Sequence, residues 1–194
     1  MTEATVGVTT PDEVLVELGK GGDRAALEEL FRRHAGVAYR VAYRLLSHEY
    51  DARDAVQDGM LKAMIHLNRF DGRSGFRTWL IRIVYNAALD LGRKRKRRPT
   101  IGLGLGDGET GGIEPSVDDD PALSLRRKDL ERSLGNALDK LSPENRETFI
   151  LFAEAGCSYK EIAAIQNKPI GTIMSRLHYA RQKLQSYLEG VEGI

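Results

Sequence analysis

Cysteine is nearly absent from the sequence, and so are long apolar runs. Cys157 is the single cysteine among 194 residues, so no disulfide can form within the chain. A lone thiol is a poor candidate for redox or metal chemistry, and we expect Cys157 to be a small, half-buried helix residue. No apolar stretch is long enough to cross a bilayer, and the N-terminus lacks the basic start and apolar region of a signal peptide. These absences predict a cytoplasmic protein without membrane insertion.

Motifs of catalytic and metal chemistry are missing as well. The sequence contains no Gly-rich phosphate-binding loop and no motif of a catalytic nucleophile with its general base. Its histidines, His34, His48, His66 and His178, lack ligand-like spacing. We therefore expect no enzymatic activity, no metal and no cofactor. His34 falls on an apolar helical line, which favours a hydrogen-bonded core residue.

Charge is balanced overall but divided sharply along the chain. The net charge of +1 does not indicate nucleic-acid binding by itself. An unbroken basic run, Arg93–Arg98, is followed by a glycine-rich stretch with acids that end at Asp118–Asp120. Such a composition cannot bury enough surface to fold. The remaining apolar residues recur at helical spacing, so we predict an all-α protein with domains at 10–92 and 121–190, joined by a flexible linker at 93–120.

The N-terminal segment predicts four helices from their caps and apolar periods. Thr10–Glu13 reads as a capping box, and Asp23 as the cap of a long second helix. A third helix begins near Asp51. Its predicted inward residues are Val56, Met60, Ala63, Met64 and Leu67, and its outward residues are Arg53, Asp54, Gln57, Asp58 and Lys62.

A polar loop, residues 68–75, precedes the fourth helix, for which Ser74 is the expected cap. Phe70 lies in this loop beside Arg69 and Arg73, in a segment too polar to require burial. An aromatic ring with basic neighbours suits stacking on an unpaired base. The only tryptophan, Trp79, falls among apolar residues of the fourth helix and is expected in the core.

The C-terminal segment predicts a helix-turn-helix. After a leucine-rich stretch (Leu123, Leu130, Leu134, Leu138 and Leu141) and a Ser142-Pro143 helix start, Ser158 and Glu161 form a capping box. Asn167-Lys168-Pro169 ends that helix, and a last helix begins near Ile170. Hydroxyl and basic residues on its outer face suit a polyanion groove, although a surface hairpin with a solvated basic face fits the pattern equally well. This outer face comprises Thr172, Ser175, Arg176, Tyr179 and Lys183.

The sequences of three segments resemble those of one protein family. SYKEIA followed by P-x-G-T-x-x-S-R-L and A-R-x-x-L is similar to the promoter-reading helix-turn-helix of bacterial sigma factors, in particular the extracytoplasmic-function group. DARDAVQDGMLKA resembles the sigma-factor helix that binds the clamp coiled coil of core RNA polymerase. FRTWLIRIVYNAALD resembles the helix that recognises and melts the minus-ten element. Gln166, Met174, His178 and Tyr179 depart from the residues frequent in the family, so base contacts at the last three positions do not carry over, whereas Ser175 and Arg176 match the family.

The resemblance implies three functional surfaces. Core polymerase would dock on the outward residues of the third helix, with Asp54, Gln57 and Asp58 at family positions and Arg53 and Lys62 beside them. The loop and fourth helix would trap a base flipped out of minus-ten DNA through Asn68, Arg69, Phe70, Arg73, Arg77 and Asn86. The last helix would read the minus-thirty-five element through Thr172, Ser175, Arg176, His178, Tyr179 and Lys183.

The implied partners are core RNA polymerase, promoter DNA and an anti-sigma factor. One alternative is a polymerase-independent transcriptional regulator that binds DNA through the same helix-turn-helix, usually as a dimer. The DARDAVQDGMLKA helix and the aromatic loop would have no role in such a protein. An enzyme would require scattered residues to meet in the fold.

Overall fold

The computed structural model describes residues 10–97 and 132–189, and every regular element in these ranges is helical, as predicted. The helices separate into two compact units. The first unit contains α1 (Asp12–Lys20), α2 (Arg24–Leu46), α3 (Glu49–His66), a 3-10 turn (Leu67–Arg69) and α4 (Phe76–Arg97). The second contains α5 (residues 132–139), α6 (Pro143–Ala153), α7 (Tyr159–Gln166) and α8 (Ile170–Glu189).

The core of the first unit lies between α2 and α4, which are amphipathic and face each other. Leu30 and Val41 of α2 and Leu80 and Val84 of α4 are fully buried. Helix α3 approaches α4 so closely that a Cβ atom at Gly59 would lie 2.6 Å from the Val84 Cγ2 atom. Any side chain at position 59 would collide with α4, so glycine is required there although it weakens a helix interior.

A polar network fixes α1 to α2. The His34 Nε2 atom lies 2.6 Å from Asp12 Oδ2, and Arg33 donates to the same carboxylate and to the Thr10 carbonyl oxygen. His34 is therefore a hydrogen-bonded core residue, as predicted. Hydrogen bonds from Arg33, and then from Arg32, lower the pKa of Glu29 below its ordinary value.

Two predicted helix starts in the first unit have opposite outcomes. The Asp23 cap is confirmed, because its carboxylate accepts from the Ala26 N–H at 3.0 Å. The predicted start of α1 is displaced by one residue, because Pro11, expected as the first helical residue, is the N-cap residue. The polar groups near this end instead serve the contact with α2, since the Thr10 carbonyl and the Asp12 carboxylate both bind Arg33.

The helix starts of the second unit follow the sequence. The Ser142 hydroxyl accepts from the Asn145 N–H, with proline at the first helical position. Ser158 and Glu161 form the reciprocal capping box. Cys157 lies immediately before this cap rather than in a helix, and it is buried at 4% exposure rather than half-buried.

The core of the second unit joins α5 to α8. Leu138 and Leu141 pack with Ala180 and Leu184 of α8. The predicted core positions Leu123 and Leu130 lie outside the described residues.

Part of the predicted linker, residues 93–97, is helical. Helix α4 continues to Arg97, so the first five residues of the basic run extend a helix. Cations near a helix C-terminus are favoured by the helix dipole, which accounts for this extension. The rest of the predicted linker, residues 98–120, lies outside the described residues.

Candidate functional site

Helix α8 presents a mostly polar surface, on which Ile170 and Met174 are also exposed, because most of its apolar residues occupy one side. Ile173, Leu177 and Ala180 are fully buried at helical spacing. The turn before α8 is set by Asn167, which adopts the left-handed conformation at φ 51°. Of the residues predicted to contact minus-thirty-five DNA, four are exposed and two are partly buried. Those exposed are Ser175, His178, Tyr179 and Lys183, and those partly buried are Thr172 and Arg176.

Arg176 is partly buried because it contacts the preceding helix. Its Nη1 atom donates to the Gln166 Oε1 atom at 3.2 Å, and the Thr148 hydroxyl lies 3.0 Å from the same oxygen. Thr148 is completely buried in α6. Gln166, which departs from the residue frequent in the family, thus connects α6 and α7 to α8. Its contact holds the guanidinium of Arg176 near the junction of α7 and α8.

Phe70 is buried in loop 68–75, so the prediction of an exposed stacking ring there is wrong. Only 8% of the residue is exposed. The ring centroid lies 5.2 Å from that of Trp79 and 5.9 Å from that of Phe76. The Lys20 Nζ atom lies over the ring at 5.9 Å from its centroid. Burial of the Phe70 ring against the other aromatic rings of the first unit is favourable, and this gain outweighs the tendency of the polar neighbouring residues to remain in water.

The other predicted minus-ten residues remain on the surface. Gly72 adopts a positive φ of 71°, and the Asp71 carboxylate accepts from the Arg73 N–H, so a tight turn shapes the loop. Gly75, rather than Ser74, supplies the first carbonyl acceptor of α4, to the Trp79 N–H. The exposed residues are Asn68, Arg69, Arg73, Arg77 and Asn86.

The outward face of α3 is polar at its start and apolar toward its end. All five predicted docking residues, Arg53, Asp54, Gln57, Asp58 and Lys62, are exposed. Met64 was predicted inward, but it is 50% exposed, beside Leu61 at 56% and Ile65 at 66%. Leu67 and Ala63 already fill the inner positions of that turn, so Met64 is left outside. We name Leu61, Met64 and Ile65 the α3 apolar patch.

Sequence reasoning missed Leu61 and Ile65 as candidate contacts. The available signal was their i, i+4 spacing, which continues the outward line of Asp54 and Gln57 along the helix. Within residues 10–97 and 132–189, no three His, Cys, Asp or Glu side chains converge as a metal site requires. No helix in these ranges has the length and apolar character of a membrane span.

Comparison with known proteins matches each unit to a separate family segment. The family described as Sigma-70 region 2 matches residues 30–98, and that described as Sigma-70, region 4 matches residues 131–184. The chain is 36% identical over 170 residues to the ECF RNA polymerase sigma factor SigE of Mycolicibacterium smegmatis, covering 86% of this chain but only 64% of that relative. It is 31% identical to the ECF RNA polymerase sigma-E factor of Haemophilus influenzae, over 92% of this chain and 95% of the relative.

Solved structures agree with these matches. CnrH, in complex with the cytosolic domain of CnrY, is 28% identical with a TM-score of 0.68, covering 92% of this chain and 97% of CnrH. The sigma factor RpoE of Bartonella quintana, in complex with the anti-sigma factor NepR, is 31% identical with a TM-score of 0.67, covering 84% and 96% of the two chains. Three findings lead to one conclusion: the order of the two matched segments, the 31% identity to the Haemophilus influenzae relative over 95% of its length, and the coverage of 97% and 96% of the two solved chains. This chain belongs to the family of extracytoplasmic-function RNA polymerase sigma factors.

Proposed function

We propose that this chain is a dissociable initiation subunit that docks on core RNA polymerase and directs it to promoters. The outward face of α3 would bind the polymerase, α8 would read the duplex minus-thirty-five element, and loop 68–75 with Asn86 would hold an extruded minus-ten base. The observation that carries this proposal is that three surfaces with these chemistries lie exposed on separate elements of one chain. No catalytic group is required, because the polymerase performs the chemistry.

Binding through two readers explains how modest contacts would select a start site. Each well-formed bidentate contact in a major groove discriminates between bases by about 1–3 kcal/mol. Capture of an extruded base offsets an unstacking cost of a few kcal/mol. Because the readers belong to one chain, divided in our proposal into domains 10–92 and 121–190, binding of the second becomes effectively intramolecular. Phe70 is left out of the base contact, since its ring is already enclosed.

The α3 apolar patch gives the proposed polymerase contact an apolar centre. Interfaces typically combine an apolar core with a polar rim, and exposed apolar residues that cluster mark such sites. Asp54, Gln57 and Asp58 supply polar groups next to the patch. Apolar burial at the centre would contribute affinity, and the charged residues would contribute orientation and association rate.

The docking surface can be tested with a matched pair of substitutions. Leu61→Ser with Ile65→Ser should weaken binding to core polymerase by at least roughly tenfold, because about 1.5–3 kcal/mol is gained when one such side chain is fully buried. Val14→Ser is the control, since Val14 is another exposed apolar residue, at 47%, on α1. Equal polymerase affinity for both variants, measured by fluorescence titration, would exclude the patch from the interface.

Reconstitution with core polymerase tests the function as a whole. The holoenzyme is used to select fragments from a random DNA library, and the recovered fragments serve as templates for run-off transcription. We expect defined transcripts that depend on the added chain. Absence of any promoter-dependent transcript would overturn the proposal. Specific DNA retention without polymerase would instead support a polymerase-independent regulator.

We further infer that the chain acts in the cytoplasm, without membrane insertion, and has an anti-sigma partner. Support comes from the two similar structures, CnrH with the cytosolic domain of CnrY and RpoE with the anti-sigma factor NepR. Such a partner would act by covering the polymerase-binding and DNA-reading faces. Co-purification of the chain from its own cells, followed by identification of stoichiometric partners other than polymerase, would test this.

A further inference from the structure

Two apolar side chains of α8 remain exposed beside the residues that we propose to contact DNA. Ile170 is 43% exposed and Met174 is 54% exposed, and they lie one helical turn apart on the surface. Each residue advances about 100° around an α-helix, so Met174 lies to one side of the buried residue Ile173. The register of the helix therefore keeps Met174 out of the core. We name Ile170 and Met174 the α8 apolar pair.

The α8 apolar pair is continuous with polar residues of the same helix. Ser175 follows Met174 directly, and His178 lies one turn further along; both are exposed. The Ser175 hydroxyl donates to the Thr172 carbonyl oxygen at 3.0 Å, so its oxygen is left to act as an acceptor. A DNA duplex placed close enough for Ser175 to accept from a base edge would also lie within reach of the Met174 side chain.

The charge around the pair favours a polyanion as the group that contacts it. Residues 168–188 contain no aspartate or glutamate, and their four cationic side chains are Lys168, Arg176, Arg181 and Lys183. Two apolar side chains are also few for the centre of a protein interface, which typically involves roughly 20–30 residues on each partner. Duplex DNA supplies negative charge along its backbone and an apolar group in its major groove, so it fits both features.

The chemistry of methionine restricts which base it can contact favourably. Its thioether has no proton to donate and is only a weak acceptor. In the major groove, guanine, cytosine and adenine present hydrogen-bonding groups, whereas thymine also presents a C5-methyl group. Packing Met174 against any other base edge would remove polar groups from water without giving them a partner, which weakens binding. Thymine is therefore the base that Met174 is suited to select.

We propose that Met174 selects a thymine in the duplex bound by α8, through contact with the C5-methyl group of that base. The inference rests on the proposed function, because it requires α8 to enter the major groove. Ile170 lies one turn nearer the start of the helix and shields the contact from water. Met174 departs from the residue frequent in the family, so this contact gives the chain a base preference different from that of many relatives.

Removal of one methyl group from the DNA tests the contact directly. Deoxyuridine lacks only the C5-methyl group of thymidine, so each thymine of a minus-thirty-five element recovered in the library selection is replaced in turn, on either strand. Affinity of the holoenzyme for each fragment is measured by competition with the unmodified fragment. One replacement should weaken binding by the wild-type holoenzyme about fourfold, the factor expected when one methyl-sized group is no longer buried.

Two substitutions of Met174 separate the apolar contact from other effects. Met174→Gln keeps an unbranched side chain but ends it in a polar amide, so the holoenzyme should no longer distinguish deoxyuridine from thymidine at that position. Met174→Leu keeps an apolar side chain of similar volume and should retain the preference for thymidine. Val14→Gln is the control, since Val14 is an exposed apolar residue of α1, and it should behave as the wild type. Thermal melting of each free chain establishes that the variants are folded.

Each result supports or overturns the thymine contact. A deoxyuridine penalty that disappears in Met174→Gln and persists in Met174→Leu supports it. The contact is overturned if no replacement weakens binding by the wild type, if the penalty is unchanged in Met174→Gln, if Met174→Leu loses the penalty too, or if the selected elements contain no A·T pair. Unchanged DNA affinity of Met174→Gln with weaker polymerase binding also overturns it and assigns Met174 to a protein contact. If the wild-type holoenzyme selects no sequence, the proposed function fails instead, before any variant is compared.

Discussion

Helix α8 and loop 68–75 each carry an aromatic residue near basic neighbours, yet they place it differently. Tyr179 on α8 is 59% exposed, whereas Phe70 in the loop is 8% exposed. On α8, the register decides exposure, because Ile173, Leu177 and Ala180 fill the inner side and leave Tyr179 outside. In the loop, the ring goes to the nearest apolar surface, which Phe76 and Trp79 provide. The polarity of neighbouring residues is therefore a poor predictor of whether an aromatic side chain in a loop is exposed or buried.

The largest effect should come from removing the buried ring. Phe70→Ala should lower the free energy of unfolding of the first unit by about 3 kcal/mol, because it leaves a cavity beside Phe76 and Trp79. Trp79 is the only tryptophan and lies 5.2 Å from Phe70, so its fluorescence in urea reports on this unit. Tyr179→Ala is the control and should change stability by less than about 0.5 kcal/mol. Equal stability of the two variants would mean that Phe70 is free to stack on a base.

A smaller effect should follow from the contact between Gln166 and Arg176. Arg176→Ala should weaken promoter binding by the holoenzyme roughly tenfold, as expected for loss of one charged contact of about 1.4 kcal/mol. Gln166→Leu should weaken it by roughly threefold, because the guanidinium loses the acceptor that positions it.

A double-mutant cycle determines whether the two residues act together. In the Arg176→Ala background, Gln166→Leu should have almost no further effect on DNA affinity. Gln166→Glu keeps the acceptor oxygen and should remain near the wild-type affinity. A full additional loss in the Arg176→Ala background would show that Gln166 acts on the fold rather than on Arg176.

The smallest effect should come from the cation over the buried ring. Lys20→Gln should lower the stability of the first unit by about 0.5 kcal/mol, because a cation over an aromatic face contributes about that much at a partly exposed site. The Lys20 Nζ atom also lies 2.9 Å from Glu17 Oε1, so Glu17→Gln measures the ion pair separately. If Glu17→Gln accounts for the whole change in urea unfolding, the contact with Phe70 contributes nothing.

Helix α8 and the turn before it could be predicted because their signals are local. Ser158 and Glu161 lie three residues apart in a capping box, and Pro169 precedes the helix it helps to start. The apolar period from Ile173 to Leu184 then defines which side is buried. Helix caps and the helical spacing of apolar residues depend on residues close together in the chain, so both can be predicted from the sequence alone.

The environment of Phe70 could not be predicted because it depends on distant residues. Lys20 comes from α1, and Phe31 of α2 completes the aromatic cluster through its contact with Phe76 at 6.0 Å. Met64 was misassigned for a related reason. Its apolar character suggested that it continued the inward line of α3, although Ala63 and Leu67 already fill the inner side of that turn.

The absence of a side chain at Gly59 also restricts how α3 can turn. Rotation of α3 about its own axis would drive a bulkier neighbour of Gly59 into Val84, so the angular setting of the two helices is locked. A protein bound to the outer side of α3 would therefore find α4 and its exposed arginines at a fixed angle to α3. One missing methyl group thus fixes the angle at which the outer faces of α3 and α4 are presented together.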